Sequence, residues 1–235
     1  MQKALLCFLL LVISMGAYCQ RNSSTIDSLL AITQRYYGAN DKLFYGRLYR
    51  ISERGADGHP FLFSQSFQPA TLFIKGNMFD SIPSRIDLEN KLFIAKLEQN
   101  DRKRDVLISD EALDSFLFAD RLFVNGKLLH PNLRFYYQSL YSSDLILIRS
   151  FEKDFIAIYN AAHPKGKYGQ LKEQLLLIKE DKVLDISSKQ KIKKALPEQS
   201  ANIKTWLKAE NTRYKKLNDD QLIRLIKECE NYEGV

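Results

Sequence analysis

From Leu43 onward the hydrophobic period of this chain changes once, at Ser187, and that change limits what it can fold into. From Leu43 to about Asp185, short runs rich in aromatic and β-branched residues alternate with turn chemistry. Such runs at roughly 8 to 14 residue intervals predict an antiparallel sheet. Beyond Ser187 the apolar residues recur at helical spacing instead. The combination predicts an α+β chain: a mainly antiparallel, curled β-sheet, open or a partial barrel, with helices following it.

Individual segments sharpen this picture. In "TLFIKGNMFDSI" the pair Gly76-Asn77 can supply the positive φ angles of a tight hairpin, and "RLFVNGKLLH" suggests a second turn at Asn125-Gly126. "RIDLENKLFIAKL" alternates Ile86 and Leu88 with Arg85, Asp87 and Glu89 and turns near Glu89-Asn90, which predicts a strand with one wet face. By contrast, "DLILIRSF" (144 to 151), "DFIAIYN" (154 to 160) and "QLLLIKEDKVLDI" (174 to 186) are more continuously apolar. Central strands covered on both faces, or the seam of a curled sheet, have that composition.

Helices are expected at both ends. Ser23, Ser24, Thr25 and Asp27 are N-cap candidates for a short helix through Leu29, Leu30, Ile32 and Tyr36, which Gly38 can end. After Ser187, "SSKQKIKKAL" carries a serine cap and Pro197 interrupts it; "PEQSANIKTWLKAEN" then places Ile203, Trp206 and Leu207 on one side. Asn218, Asp219 and Asp220 suit a helix N-terminus, and Leu222, Ile223, Leu225, Ile226 and Cys229 form an apolar stripe after them. About three C-terminal helices result, dividing the mature chain into a core of residues 20 to 186 and a helical region of 187 to 235 packed on or beside it.

The first 19 residues have a different character. Residues 4 to 17, ALLCFLLLVISMGA, follow a single charge at Lys3 and end in small residues, the layout of a signal peptide. The run is shorter than the ~20 residues a membrane-spanning helix needs. Tyr18 is too large for the position before a lipid-modified cysteine, whereas Ala17-Tyr18-Cys19 suits ordinary cleavage before Gln20. The expectation is an exported chain, periplasmic or extracellular, with no transmembrane segment and one remaining cysteine, Cys229, so that no internal disulfide forms.

Charge is unevenly distributed. Residues 20 to 164 carry 18 positive and 17 negative side chains, but residues 186 to 216 carry nine positive against Glu198 and Glu210 alone. Lys191, Lys193 and Lys194, followed by Arg213, Lys215 and Lys216, define a basic face suited to phosphate or carboxylate groups. For an exported protein, nucleic acid is not the expected partner. An anionic envelope component (a lipid headgroup, lipopolysaccharide or an acidic glycan) or another envelope protein fits better.

Three stretches carry a resemblance: "FIKGNMFDSIPSRIDLENKLFIAKL", "FYYQSLYSSDLILIRSFEKDF" and the tail "KQKIKKALPEQSANIKTWLKAENTRYKKLNDDQLIRLIKECENY". Through them the chain resembles a group of uncharacterised exported proteins of Gram-negative bacteria. The resemblance implies a curled β-sheet core followed by a lysine-rich helical C-terminus, and it implies export. It departs from the group's pattern at Leu175-Leu176-Leu177, where Tyr-Tyr-Leu is usual. It assigns no functional residues.

Catalytic signatures are sparse. His59, His130 and His163 each precede a proline, which favours loops and strand edges, and none is paired at the close spacing of a zinc site. The phosphate-binding glycine-lysine loop, the dinucleotide fingerprint and the metalloprotease helix do not occur. No catalytic residue, cofactor or metal ligand is expected. The sequence therefore favours a non-enzymatic scaffold or interaction module acting through its basic helices. The alternative is a carrier enclosing an apolar ligand among Phe61, Phe63, Phe73, Phe93, Phe118 and Phe135; a third reading is an enzyme with a histidine in a loop-lined cleft.

Overall fold

A computed structural model describes residues 47–49, 55–99 and 102–231. The signal segment expected over residues 1 to 19 and the helix expected near residues 23 to 38 lie outside these described residues. The main sheet has eleven strands: β1 (Arg47–Leu48), β2 (Gln68–Ile74), β3 (Asn77–Asp87), β4 (Leu92–Gln99), β5 (Arg102–Ile108), β6 (Leu113–Phe118), β7 (Arg121–Asn125), β8 (Tyr136–Ser142), β9 (Ile146–Glu152), β12 (Lys172–Lys179) and β13 (Lys182–Asp185). Their order is β1-β5-β4-β3-β2-β6-β7-β8-β9-β12-β13, and each pair whose register is defined is antiparallel. Two short strands, β10 (Phe155–Ile156) and β11 (Lys167–Tyr168), form a separate ribbon. The chain divides into two compact units, Gly46–Leu97 with Asp105–Val235, and Met1–Tyr45 with Glu98–Arg104. In the second, only the adjoining ends of β4 and β5 are described.

The sheet curls without closing. Phe93 on β4 and Tyr136 on β8 are five strand steps apart in the order, which in a flat sheet is about 24 Å. Their ring centroids are nevertheless 6.3 Å apart. Phe116 stands between them, 4.8 Å from Phe93, 5.0 Å from Phe123 and 5.2 Å from Tyr136. Phe63 bridges Phe118 on β6 and Phe151 on β9 at 6.3 and 5.6 Å. Aromatic rings thus fill the curl, and their burial and edge-to-face contacts supply much of its cohesion.

The turns form at different residues from those the sequence suggested. The β2–β3 hairpin turns at Lys75-Gly76, both at positive φ, rather than at Gly76-Asn77; Asn77 Nδ2 donates to the carbonyls of Ile74 and Lys75. Asn125-Gly126 is no hairpin turn. Asn125 caps a helical turn, α1 (Gly126–Leu129), while the tight turn joining β6 to β7 is Ala119-Asp120. Two residues at positive φ match the twist of a hairpin whatever their identity, which is why Lys75, Ala119 and Asp120 are tolerated there.

The expected wet face near Arg85 and Asp87 is also absent. Both side chains are buried because the segment from Pro60 to Phe67 folds over them. Leu62 N donates to the Ile86 carbonyl, and the Arg85 guanidinium lies 4.3 and 4.1 Å from the Phe61 and Phe67 rings. Asp87, 1% exposed, accepts from Glu89 N, Asn90 N, Asn90 Nδ2 and Tyr49 Oη. These bonds offset its desolvation and fix the β3–β4 turn. The segment 154 to 160 is likewise no long strand. It pairs only at Phe155–Ile156, leaves Ile158 and Tyr159 exposed, and turns at Asn160 to His163.

Strands β9 and β12 are covered on both faces, as their continuous apolar runs implied. Ile148 and Ile178 pack with Leu133 on one side. On the other, Leu147 and Leu177 meet the helices α2 (Lys189–Ala195), α3 (Ser200–Ala209) and α4 (Asp219–Asn231). Ile192, Ile203, Leu207, Leu222, Leu225, Ile226 and Cys229 form that helical core. Among the described residues no helix is long and apolar enough to cross a membrane.

Candidate anion-binding groove

The C-terminal helices are placed by local signals. Ser188 Oγ accepts from Lys191 N at the start of α2. Helix α3 ends in a Schellman turn: Asn211, at φ +47, donates to the Lys208 carbonyl, and Thr212 N donates to that of Leu207. This reversal throws Arg213 back beside α3. A 3-10 turn (Tyr214–Lys216) follows, held by the Tyr214 hydroxyl donating 2.6 Å to the Ile186 carbonyl. Asn218 and Gln221 then exchange side-chain bonds to each other's backbone N–H, a capping box that starts α4.

Between these elements runs an open groove of about 560 Å³, lined by Lys189, Lys204, Leu207, Lys208, Asn211, Thr212, Arg213 and Lys216. Five of its eight residues are cationic and none is acidic. All five cations are exposed, and none has an ion pair among the described residues. Asn211 and Thr212 add neutral polar groups, and Leu207 gives an apolar floor. Such a setting attracts a multiply charged anion through summed Coulomb terms and direct hydrogen bonds.

The cations singled out in the sequence are divided by the fold. Arg213 and Lys216 line the groove. Lys191 is turned to Asp185, whose carboxylate it meets at 2.5 Å; Lys193 is half-buried, and Lys194 and Lys215 are exposed outside the lining. Burial pushes the Asp185 carboxyl up, but hydrogen bonds from Lys191, Ser187 and Gln174 outweigh it and hold it well below the usual carboxylate range. Lys189, Lys204 and Lys208 were not singled out. The signal for two of them was present: Lys204 and Lys208 are four apart, so they share a face of α3.

The histidines take three separate roles. His130, 6% exposed, is no surface residue: its Nε2 lies 2.7 Å from the Asp181 carbonyl and its Nδ1 accepts from Asn132 N, tying the chain after α1 to the β12–β13 turn. His163 Nδ1 meets the Asp57 carboxylate. His59 accepts from Phe61 N, and desolvation, reinforced by Lys153, lowers its pKa. Among the described residues no group of three or more His, Cys, Asp or Glu is placed to hold a metal ion. Cys229 is buried in the helical core.

No protein-family model, curated protein or solved structure matches this chain.

Proposed function

We propose that the chain is a non-catalytic, exported module of the cell envelope whose helical tail captures the phosphate or carboxylate groups of an anionic envelope component. One observation carries this reading: five cations line a single groove with no acid among them. A solvated lysine face would gain from interspersed acids, which relieve repulsion between like charges; here that relief is left to a ligand. The exposed large apolar side chains of the described residues all lie outside the tail. That favours capture of a charged group over insertion into lipid. The signal-like N-terminus and the resemblance to exported proteins support the location.

Trp206, the one tryptophan of the chain, packs against the helical core from α3, the helix that supplies Lys204 and Lys208 to the groove, and serves as the reporter. Titrating the exported protein with polygalacturonate and with vesicles containing phosphatidylglycerol, at two salt concentrations, should give a saturable change in its emission that weakens with salt. The double substitution K204E/K208E should abolish it, while Lys194→Glu should not. Equal binding by the double variant, or binding indifferent to salt, would sink the proposal.

A further inference from the structure

A second site, unrelated to the groove, lies at one mouth of the curled sheet. There the β3–β4 turn, the β5–β6 turn, the entry to β8 and the end of β9 converge. They enclose a cavity of about 250 Å³ lined by Lys91, Asp110, Arg134, Phe135, Tyr136, Tyr137, Ser150, Phe151 and Glu152. This is below the ~300–1,000 Å³ of pockets for drug-sized ligands, so its occupant is small. The rings of Phe93, Phe116 and Phe123 fill the curl itself, Phe116 stacked on Phe123 and tilted against Phe93.

Three observations set this cavity apart from an incidental dent. Phe135 has φ +74, a conformation that a bulky side chain rarely adopts and that marks strain held by its surroundings. Its carbonyl is fixed by Gly126 N at 2.7 Å, and its ring is placed 5.1 Å from Tyr136 and 5.5 Å from the Lys91 ammonium. The Tyr136 hydroxyl is buried with no hydrogen-bond partner, at a cost that native proteins seldom leave standing. Finally, the rim presents opposite charges. Lys91 and Glu152 have no ion pair among the described residues, whereas Asp110 is satisfied by Lys127 at 3.0 Å. Arg134 spends Nη1 on the Pro131 and Leu133 carbonyls.

We propose that this mouth binds a small zwitterion bearing one ring, of the aromatic amino acid class. The rings of Phe135 and Phe151 flank the ligand's ring; Lys91 and Arg134 receive its carboxylate, and Glu152 its ammonium. The structure assigns no chemistry to the site beyond binding.

The test uses L-phenylalanine, phenylacetate, which lacks the ammonium, and N-acetyl-L-phenylalanine amide, which lacks both charges. Calorimetry and saturation-transfer NMR on the full chain should show L-phenylalanine binding, with both analogues weaker by about tenfold or more. Glu152 is exposed, so Glu152→Gln should fold normally; it should weaken L-phenylalanine by about tenfold while leaving phenylacetate unchanged. Repeating the titration in K204E/K208E excludes the basic groove as the site, since binding of L-phenylalanine should persist. Absence of saturation transfer at about 5 mM ligand overturns the proposal. So does phenylacetate binding as tightly as L-phenylalanine, or an effect of Glu152→Gln that is the same on both.

Discussion

Arg149, on β9 and 9% exposed, grips Asp219 at the first turn of α4 with both terminal nitrogens of its guanidinium. Its Nε lies 3.3 Å from Glu173 Oε2, and Gln138 Oε1 accepts from its Nη1 at 3.4 Å. Phe123, Gln138, Arg149 and Leu175 are in register across β7, β8, β9 and β12, so they share the face on which the helices dock. Arg149 therefore sits between the aromatic filling of the curl and the helical core. Asp219 contributes twice, as a partner for a buried cation and as an acid at a helix N-terminus.

Removing the carboxylate alone leaves the guanidinium buried with its main anion gone. Asp219→Ala is expected to cost about 1–3 kcal/mol in urea unfolding, reduced from the cost of a fully buried pair because Asp219 is partly open to solvent. Hydrogen exchange in α4 should rise more than in β2 to β6. Uniform loosening of both regions would show that the tail does not depend on this contact.

Asp185 gives the helical tail a pH dependence of definite sign. Its folded pKa is depressed, so its contribution is fully present above the unfolded value of about 4 and is lost as pH falls toward the folded one. The expected outcome is an α2 that detaches below about pH 4, followed by the NMR signals of Ile186 and Ile192. Lys191→Met should raise the Asp185 titration midpoint toward the ordinary range. An unmoved midpoint would mean that Ser187 and Gln174 hold the carboxylate by themselves.

The sequence carried the periods well and the long-range contacts poorly. Strand and helix periodicity follows from which face each residue must bury, a local property, so the switch at Ser187 and the two-sided burial of β9 and β12 were readable. Turn position was not. Lys75 and Ala119 occupy positive-φ sites because strand register demands it, and register is set by partners elsewhere in the chain. Arg85 and Asp87 read as a wet face because nothing local announces that residues 60 to 67 fold over them. The excess of cations in the tail was visible, but which of them share a groove depended on a reversal at Asn211.

That reversal can be tested directly. Asn211→Gly keeps the left-handed conformation at no steric cost, so stability should stay within about 0.5 kcal/mol of the parent and anion binding should persist. Asn211→Val places a β-branched residue at positive φ and should cost about 1–2 kcal/mol. Because the Schellman turn sets where Arg213 and Lys216 lie, the valine variant should also weaken anion binding measured through Trp206. If both variants bind alike, the groove does not rely on the turn.

Phe116 decides whether the curl is held by its aromatic filling or by strand pairing alone. Its ring touches those of Phe93, Phe123 and Tyr136, which come from three other strands, and its side chain is fully buried. Phe116→Ala is expected to cost about 3–5 kcal/mol, the upper part of that range if the neighbouring rings cannot collapse into the space. Phe116→Leu should cost less than half as much. Strand pairing between β6 and its neighbours uses backbone groups that neither substitution removes, so a small loss in the alanine variant would assign the curvature to the ladder. A large loss, with faster exchange in β4 and β8 than within β2 and β6, would assign it to the rings that bring Phe93 and Tyr136 together.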